Sequence, residues 1–232
     1  MQVVILAGGL GKRLLPLTID VPKPMVPVAG VPYLEHQFRL LAEQGLRDVV
    51  LLTGYLGEQI EECFGDGRRL GLRLRYSRER QPLGTGGALR EARAVLEERF
   101  LVIYGDSYLP IEYHAVGEVL ASTGAAAVMA VYHDLFGETN VLPNVALADD
   151  GAVVRYDKKA AGSRGLEYIE AGVLALRRSV LDLLPANGVV SLEEEIFPAL
   201  VARGQLYAYP TAQRFYDMGT PERLRVIEEY LA

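Results

Sequence analysis

The sequence has a single cysteine, no dense basic segment and no long apolar run, and each shortage excludes a class of protein. With Cys63 alone, no disulfide can form within the chain, which favours a reducing compartment. A formal net charge of −6 without a basic tail argues against general nucleic-acid binding. No apolar stretch approaches the roughly 20 residues of a membrane helix, and the N-terminus lacks a signal-peptide pattern. We therefore expect a cytoplasmic protein without a membrane segment.

The chain also lacks internal repeats and linker-like segments, so its 232 residues predict one domain. Nearly continuous apolar runs, typical of buried strands, occur at residues 3–6, 49–53 and 100–104, and helical periodicity separates them. Strands of this kind form a parallel sheet covered by helices on both faces. The prediction is an α/β fold with a mostly parallel mixed sheet, whose ligands lie beyond the carboxyl ends of the strands.

The second half of the chain carries more strand and turn signals. Asp149-Asp150-Gly151 joins two strand-like segments and predicts a hairpin. Ser191-Leu192-Glu193-Glu194 reads as a capping box that opens a helix to about residue 202. Thr220-Pro221 predicts the cap and first position of the last helix. An acidic run, Glu193-Glu194-Glu195, is expected to be a solvated first helical turn.

The most informative stretch is Leu6-Ala7-Gly8-Gly9-Leu10-Gly11-Lys12-Arg13, directly after the first strand. Glycines let backbone N–H groups approach an anion, and the following cations neutralise it, so the stretch predicts a phosphate site. Its spacing matches neither the Rossmann fingerprint nor the Walker loop. Taken alone, such a turn also serves simple chain reversal. Lys23 follows, between two prolines in a segment that cannot be helical.

Several further motifs occur in a fixed order, and together they resemble one enzyme family. They are Pro16-Leu17-Thr18, Pro22-Lys23-Pro24-Met25, Pro82-Leu83-Gly84-Thr85-Gly86-Gly87, Gly105-Asp106-Ser107, Asp157-Lys158, Glu170-Ala171-Gly172 and Asp217-Met218-Gly219-Thr220-Pro221. With the glycine loop, they resemble the sugar-1-phosphate nucleotidyltransferases over nearly the whole chain. The similarity is greatest to the heptose- and mannose-1-phosphate guanylyltransferase branch, with the muramic-acid-phosphate uridylyltransferase branch close behind.

The resemblance implies a single domain over 1–232 with a Rossmann-like nucleotidyltransferase fold. Its reaction transfers a nucleotidyl group from an NTP to a sugar 1-phosphate and releases pyrophosphate. Residues 1–107 would bind mainly the NTP and residues 108–232 mainly the sugar phosphate. No hexapeptide repeat is present, so a single activity is expected, and assembly into a homo-oligomer stays open.

By this resemblance Arg13 holds the β,γ-phosphates and Lys23 stabilises charge at the α-phosphate. Asp106 and Asp217 would hold Mg²⁺, the expected cofactor, which assists displacement at phosphorus. Each carboxylate has a plainer reading, because Asp106 could form an Asx turn and Asp217 could simply precede a helix cap.

Two sets of substrate-binding residues follow from the same resemblance. The nucleotide set is Leu6, Ala7, Gly8, Gly9, Gly11, Glu79, Pro82, Gly84 and Thr85. The sugar-phosphate set is Gly105, Asn144, Lys158, Glu170 and Gly172. Lys159 competes with Lys158, because neighbouring residues of a strand point to opposite faces.

Glu79 bears on the choice of base. A carboxylate only accepts hydrogen bonds, which suits the N1–H and N2–H donors of guanine and favours GTP. Gln81 lies close by and keeps uridylyl or thymidylyl transfer open. A catalytically silent relative that binds a nucleotide sugar is the alternative of another class, and the retention of Arg13, Lys23, Asp106 and Asp217 argues against it.

Overall fold

A seven-stranded mixed sheet forms the centre of the molecule in the computed structural model, which describes residues 1–232. The strands are β1 Gln2–Ala7, β2 Pro27–Val28, β3 Val31–Pro32, β4 Asp48–Thr53, β5 Arg73–Arg78, β6 Arg99–Tyr104, β7 Ser107–Tyr108, β8 Ala127–Tyr132, β9 Val145–Leu147, β10 Val153–Tyr156, β11 Ile169–Arg177, β12 Leu206–Thr211 and β13 Tyr216–Asp217. The α-helices are α1 Tyr33–Glu43, α2 Gly57–Phe64, α3 Gly84–Glu91, α4 Tyr113–Thr123, α5 Phe197–Ala202 and α6 Pro221–Leu231. Short 3₁₀ helices span Lys12–Leu14, Lys23–Met25, Arg68–Leu70, Ala92–Val95 and Arg178–Leu183, and a π-helix spans Leu192–Ile196.

The strand order in the main sheet is β12-β8-β11-β6-β1-β4-β5. β1 pairs in parallel with β4 and β6, β4 with β5, and β12 with β8. Only β11 runs against its two neighbours, β6 and β8. The predicted α/β fold with a mostly parallel mixed sheet is therefore confirmed.

Alternation along the strands supplies both faces of the sheet with core residues. In β1, Val3 and Ile5 belong to a cluster of 28 buried residues packed under α1, α2 and α4. Val4 belongs to the opposite cluster of 26 buried residues, which includes α5 residues such as Phe197. Because the two clusters are nearly equal in size, both faces of the sheet are covered, as central parallel strands require.

A third, smaller cluster connects the two ends of the chain. Leu14 and Val26, from the segments after β1, are buried together with Tyr33, Met218 and Ile227. Burying such side chains stabilises their positions by about 1.5–3 kcal/mol each. The glycine loop and the segment of Lys23 are therefore packed against the C-terminal helix.

Most predicted elements are confirmed, with differences at their ends. Ser191 Oγ accepts from the N–H of Glu194, and Thr220 Oγ1 accepts from that of Arg223, so both predicted caps are present. The predicted hairpin forms as β9 and β10, in a two-stranded sheet of its own. Helix α3 ends at Glu91 and is followed directly by the 3₁₀ turn Ala92–Val95. No helix is long and apolar enough to cross a membrane.

Candidate functional site: a lysine-lined cleft at the sheet edge

A cleft of about 530 Å³ opens where β1 and β6 end. The two strands are neighbours, and the N–H of Gly105 donates to the carbonyl of Leu6 at 3.0 Å, which closes the space between the two turns. Thirteen predicted site residues line this cleft: Leu6, Ala7, Gly8, Gly9, Gly11, Lys23, Glu79, Pro82, Gly84, Thr85, Gly105, Asp106 and Lys158. The structure thus brings together residues that are far apart in the sequence, at the edge where parallel sheets bind ligands.

Lysines are concentrated in the cleft. The chain contains only four, and three of them, Lys12, Lys23 and Lys158, line the cleft. The Lys23 side chain is 11% exposed, and its ammonium is paired with the carboxylate of Asp106. Ammonium groups that converge beside a glycine loop form a site for a polyphosphate.

The two predicted metal ligands lie on paired strands. Asp217 of β13 is opposite Ser107 of β7, and the N–H of Met218 donates to the carbonyl of Asp106 at 3.0 Å. The phenol of Tyr33, the first residue of α1, is buried without a hydrogen-bond partner. Burial, then the charge of Asp106 and, more weakly, that of Asp217, raise its pKa. Both carboxylates are therefore close enough to the buried Tyr33 phenol to raise its pKa.

Mg²⁺ binds oxygen ligands and usually takes one or two carboxylates together with substrate phosphates. Asp106 is half-buried at the cleft wall, and its only cation is Lys23. Asp217 does not line the cleft; it accepts from the N–H of Gly219 at 2.6 Å and pairs with Arg223 at 3.0 Å. No group of three or more His, Cys, Asp or Glu side chains forms a complete metal site. The donor set fits a metal held by two carboxylates and completed by substrate.

Arg13 does not line the cleft. It is exposed on the 3₁₀ turn Lys12–Leu14, and its guanidinium lies beside Gly219, 3.2 Å from the position that a Cβ atom would take there. Lys12, its neighbour, lines the cleft instead. The sequence alone does not distinguish Lys12 from Arg13, because the 3₁₀ turn determines the direction of each side chain. The role of Arg13 on the leaving phosphates stays a prediction.

A second cavity of about 760 Å³ adjoins the cleft, and Gly8, Leu10, Glu79 and Pro82 line both. The Glu79 carboxylate lies between Gly8 and Gly54, so close that a Cβ atom added to either glycine would be 2.9 or 2.8 Å from its Oε1. Its Oε2 accepts from the N–H of Leu83 at 3.0 Å. Burial raises the pKa of Glu79, while this hydrogen bond lowers it. Gln81 lines the same cavity.

On the far side of the cleft lies a carboxylate whose position differs from the one expected from the sequence. Glu193 was expected in a solvated turn, but it is 5% exposed and lines the cleft, whereas Glu194 and Glu195 are exposed. The reason is local geometry: the capped π-helix turns the second residue after Ser191 inward, towards Thr85. Lys158 lines the cleft and Lys159 does not, although β10 ends at Tyr156 and the expected strand alternation does not apply to either lysine.

Three predicted sugar-side residues lie behind the cleft wall. Glu170 is next to a bulge in β11, and its Oε1 accepts from the N–H of Gly172 at 3.0 Å. Asn144 is buried, with its Oδ1 accepting from the N–H of Glu170 at 2.9 Å, so its amide oxygen orients the strand. None of the three lines the cleft. Their contact with a sugar stays a prediction.

Comparison with known proteins gives concordant results over the whole chain. A mannose-1-phosphate guanylyltransferase of Mycobacterium tuberculosis is 35% identical over 96% of this chain, which spans 62% of that relative's length. A D-glycero-alpha-D-manno-heptose 1-phosphate guanylyltransferase of Campylobacter jejuni is 32% identical over 96% of both chains. The crystal structure of HddC from Yersinia pseudotuberculosis, complexed with GMP-PN, has a TM-score of 0.84 at 28% identity and covers 100% of this chain and 99% of its own.

A putative glucose-1-phosphate thymidylyltransferase from Bacillus anthracis shares the fold, with a TM-score of 0.84 at 22% identity over 99% of this chain and 94% of its own. The profile of the family described as nucleotidyl transferase matches residues 2–232. This match spans every element that builds the cleft, and the relatives agree with it along nearly the full chain. The chain belongs to the nucleotidyl transferase family.

Proposed function

We propose that this protein transfers a guanylyl group from GTP to heptose or mannose 1-phosphate, giving a GDP-sugar and pyrophosphate. The observation that carries the proposal is the convergence of Lys12, Lys23 and Lys158 with a glycine loop on one cleft. Membership of the nucleotidyl transferase family supports the reaction class. The names of the relatives, guanylyltransferases for mannose and heptose 1-phosphates, support the substrates.

In this reaction a phosphate oxygen of the sugar phosphate attacks the α-phosphorus of the NTP, and the bond to the pyrophosphate oxygen breaks. Both reactants are anions, so catalysis consists mainly of positioning them and neutralising charge. Lys23 stabilises the charge that develops at the α-phosphate. Lys12 and the glycine-loop N–H groups hold the β,γ-phosphates, and Arg13 assists at the leaving end.

Asp106 and Asp217 are the residues that would hold Mg²⁺. When bound, this ion neutralises phosphate charge and polarises phosphoryl oxygens. Each of the two carboxylates is paired with a cation, Asp106 with Lys23 and Asp217 with Arg223. If Asp106 held Mg²⁺, the ammonium of Lys23 would be free to contact the α-phosphate.

The base lies in the cavity around Glu79 in this proposal. The Glu79 carboxylate is fixed between Gly8 and Gly54 and oriented by the N–H of Leu83. A fixed acceptor with two oxygens suits the adjacent N–H donors of guanine. Gln81 lines the same cavity, and this observation favours uridylyl or thymidylyl transfer as the second candidate.

The experiment that tests the proposal measures pyrophosphate release over a grid of ATP, CTP, GTP, UTP and dTTP with common sugar 1-phosphates. The expected maximum is GTP with mannose or heptose 1-phosphate, and omission of Mg²⁺ should abolish it. A maximum with UTP or dTTP would transfer the proposal to the second candidate. Absence of release with every pair, together with nucleotide-sugar binding by calorimetry, would identify a silent binding protein.

A further inference from the structure

Glu193 is the centre of a hydrogen-bond network that the reaction described above does not use. Its carboxylate accepts from Thr85 Oγ1 at 2.7 Å, from Ser191 Oγ at 2.7 Å and from the phenol of Tyr104 at 2.9 Å. Burial raises the pKa of Glu193, but the charge of Lys158 and then the hydrogen bonds from Thr85 and Ser191 hold this pKa below its ordinary value. A buried, ionised carboxylate with this many donors is held in one position.

Lys158 is the one exposed partner of this network. Its ammonium lies 3.6 Å from Glu193 Oε1, and its side chain is 54% exposed in the cleft. A lysine side chain loses rotamer entropy when it is ordered. Since the carboxylate is fixed and the lysine is mobile, the attraction orients the lysine.

Glu170 adds a second carboxyl group on the same side. Burial first, and the charge of Glu193 second, raise its pKa to about 7, while the charge of Lys158 lowers it. Lys158 is thus close to both carboxyl groups. At neutral pH Glu170 is partly protonated, so the negative charge that attracts Lys158 comes mainly from Glu193.

The segment before Glu193 is bonded to the nucleotide loop. Val190 accepts from the N–H groups of Gly86 and Gly87 at 2.9 and 3.3 Å, and its own N–H donates to Leu83 at 2.8 Å. The N–H of Leu192 donates to Thr85 Oγ1 at 2.9 Å. The position of Glu193 is therefore determined by the loop that opens α3, on the NTP side of the cleft.

From this geometry we propose that Glu193 is a positioning residue, which holds the Lys158 ammonium where it meets the phosphate of the sugar 1-phosphate. Because Glu193 accepts a hydrogen bond from Thr85, it also fixes the position of that ammonium relative to the nucleotide loop. The inference rests on the proposed function, because it assigns the sugar phosphate to Lys158.

A double-mutant cycle of Glu193→Gln and Lys158→Met tests the proposal with the substrate pair that the grid identifies. Each single variant should raise the KM for the sugar 1-phosphate about tenfold and change the KM for the NTP less than about twofold. The double variant should be no worse than the poorer single one, because both changes remove the same interaction. Additive effects, or equal rises in both KM values, would overturn the proposal.

The neighbouring ion pair provides the matched control. Lys159 and Glu194 are 2.9 Å apart, next in sequence to the tested pair, and exposed outside the cleft. Lys159→Met and Glu194→Gln should leave both KM values unchanged. Where Glu193→Gln gives no folded protein by circular dichroism, Glu193→Asp takes its place in the cycle, with the carboxylate retracted and a smaller rise expected.

A readout without turnover separates this inference from the proposed function. The four lysines can be ¹³C-methylated and titrated with inorganic phosphate in NMR spectra. The Lys158 signal should respond in the wild type at phosphate concentrations about tenfold lower than in Glu193→Gln. Equal responses in an enzyme that is active would overturn the inference alone. An inactive wild type that keeps the difference would refute only the proposed function.

Discussion

The ammonium of Lys23 donates a hydrogen bond to Oδ2 of Asp106, across 83 residues of sequence. Lys23 is on the 3₁₀ turn Lys23–Met25, which packs near the C-terminal helix, and Asp106 follows the buried strand β6. Each group neutralises the other at the cleft wall. A phosphate bound to Lys23 would free Asp106 from this pair, and a divalent cation bound to Asp106 would free Lys23.

Lys23→Ala should lower kcat about 10²- to 10³-fold, because the charge at the α-phosphate loses its stabilising cation. The melting temperature should change little, since Asp106 is 32% exposed and tolerates loss of its partner. Steady-state pyrophosphate release and calorimetric melting measure the two effects. Lys159→Ala, at an exposed lysine, is the control, and near-normal turnover of the Lys23 variant would refute the assigned role.

Asp106→Asn should remove Mg²⁺ dependence together with activity, because an amide is a poorer ligand for a hard cation than a carboxylate. Titration of Mn²⁺ followed by electron paramagnetic resonance, without substrates, should show weaker binding than in the wild type. Asp182→Asn, at an exposed ion pair with Arg93, should behave as the wild type. Unchanged Mn²⁺ affinity in Asp106→Asn would place the metal elsewhere.

Local patterns were sufficient to predict much of the fold. The apolar runs of β1, β4 and β6 and the caps at Ser191 and Thr220 are decided by neighbours in sequence, and all of them form as expected. Helix α4 was not foreseen. It has no side-chain cap and contains Gly117 in its middle, so its stability comes from packing on the sheet rather than from local signals.

Site residues could be predicted where a motif determines the backbone conformation. They were harder to predict where the local helix determines the direction of the side chain. The glycine loop and Asp106 reach the cleft because they follow β1 and β6, and Lys23 reaches it from its 3₁₀ turn. Glu193 and Lys12 were missed, since an acidic turn and a pair of adjacent cations look alike whether they face solvent or substrate. Only the π-helix and the 3₁₀ turn determine these directions, and both depend on tertiary contacts.

Glu170→Gln should remove a pH dependence of stability. The folded-state pKa of Glu170, about 7, is above its ordinary value, so the folded protein binds more protons than the unfolded chain between pH 4.5 and 7. Its contribution to the unfolding free energy is therefore largest at low pH and is lost as pH rises to 7.

The stability of Glu170→Gln relative to wild type should thus increase by about 1–2 kcal/mol between pH 5 and 8. Urea denaturation at several pH values, with EDTA present, measures the difference. Glu194→Gln, at an exposed carboxylate, should show a flat difference. A flat difference for Glu170→Gln as well would mean that Lys158 compensates the buried charge.

Gly84→Ala should destabilise the fold by about 2–4 kcal/mol. Gly84 has φ of +75°, and a Cβ atom there would be 2.5 Å from the carbonyl oxygen of Val190, which is backbone and cannot move away. Gly188→Ala is the matched control, because φ is +91° there and no atom lies within 4 Å of the added Cβ. Its cost, about 1–2 kcal/mol, contains the backbone strain without the clash. Chemical denaturation of both variants gives the difference, and equal costs would show that the segment of Val190 shifts freely.

Glu79→Gln should shift base preference from GTP towards UTP. The carboxylate of the wild type accepts two hydrogen bonds, whereas the amide offers one acceptor and one donor, which matches uracil and leaves one guanine donor opposed. Loss of a matched buried hydrogen bond costs about 1–3 kcal/mol, so the ratio of kcat/KM for GTP over UTP should fall about 10- to 100-fold. Gln81→Ala separates the two candidates for base recognition in the same cavity. If Gln81→Ala moves the ratio and Glu79→Gln does not, the base is read by Gln81, and the carboxylate between Gly8 and Gly54 serves only to fix the loop at Leu83.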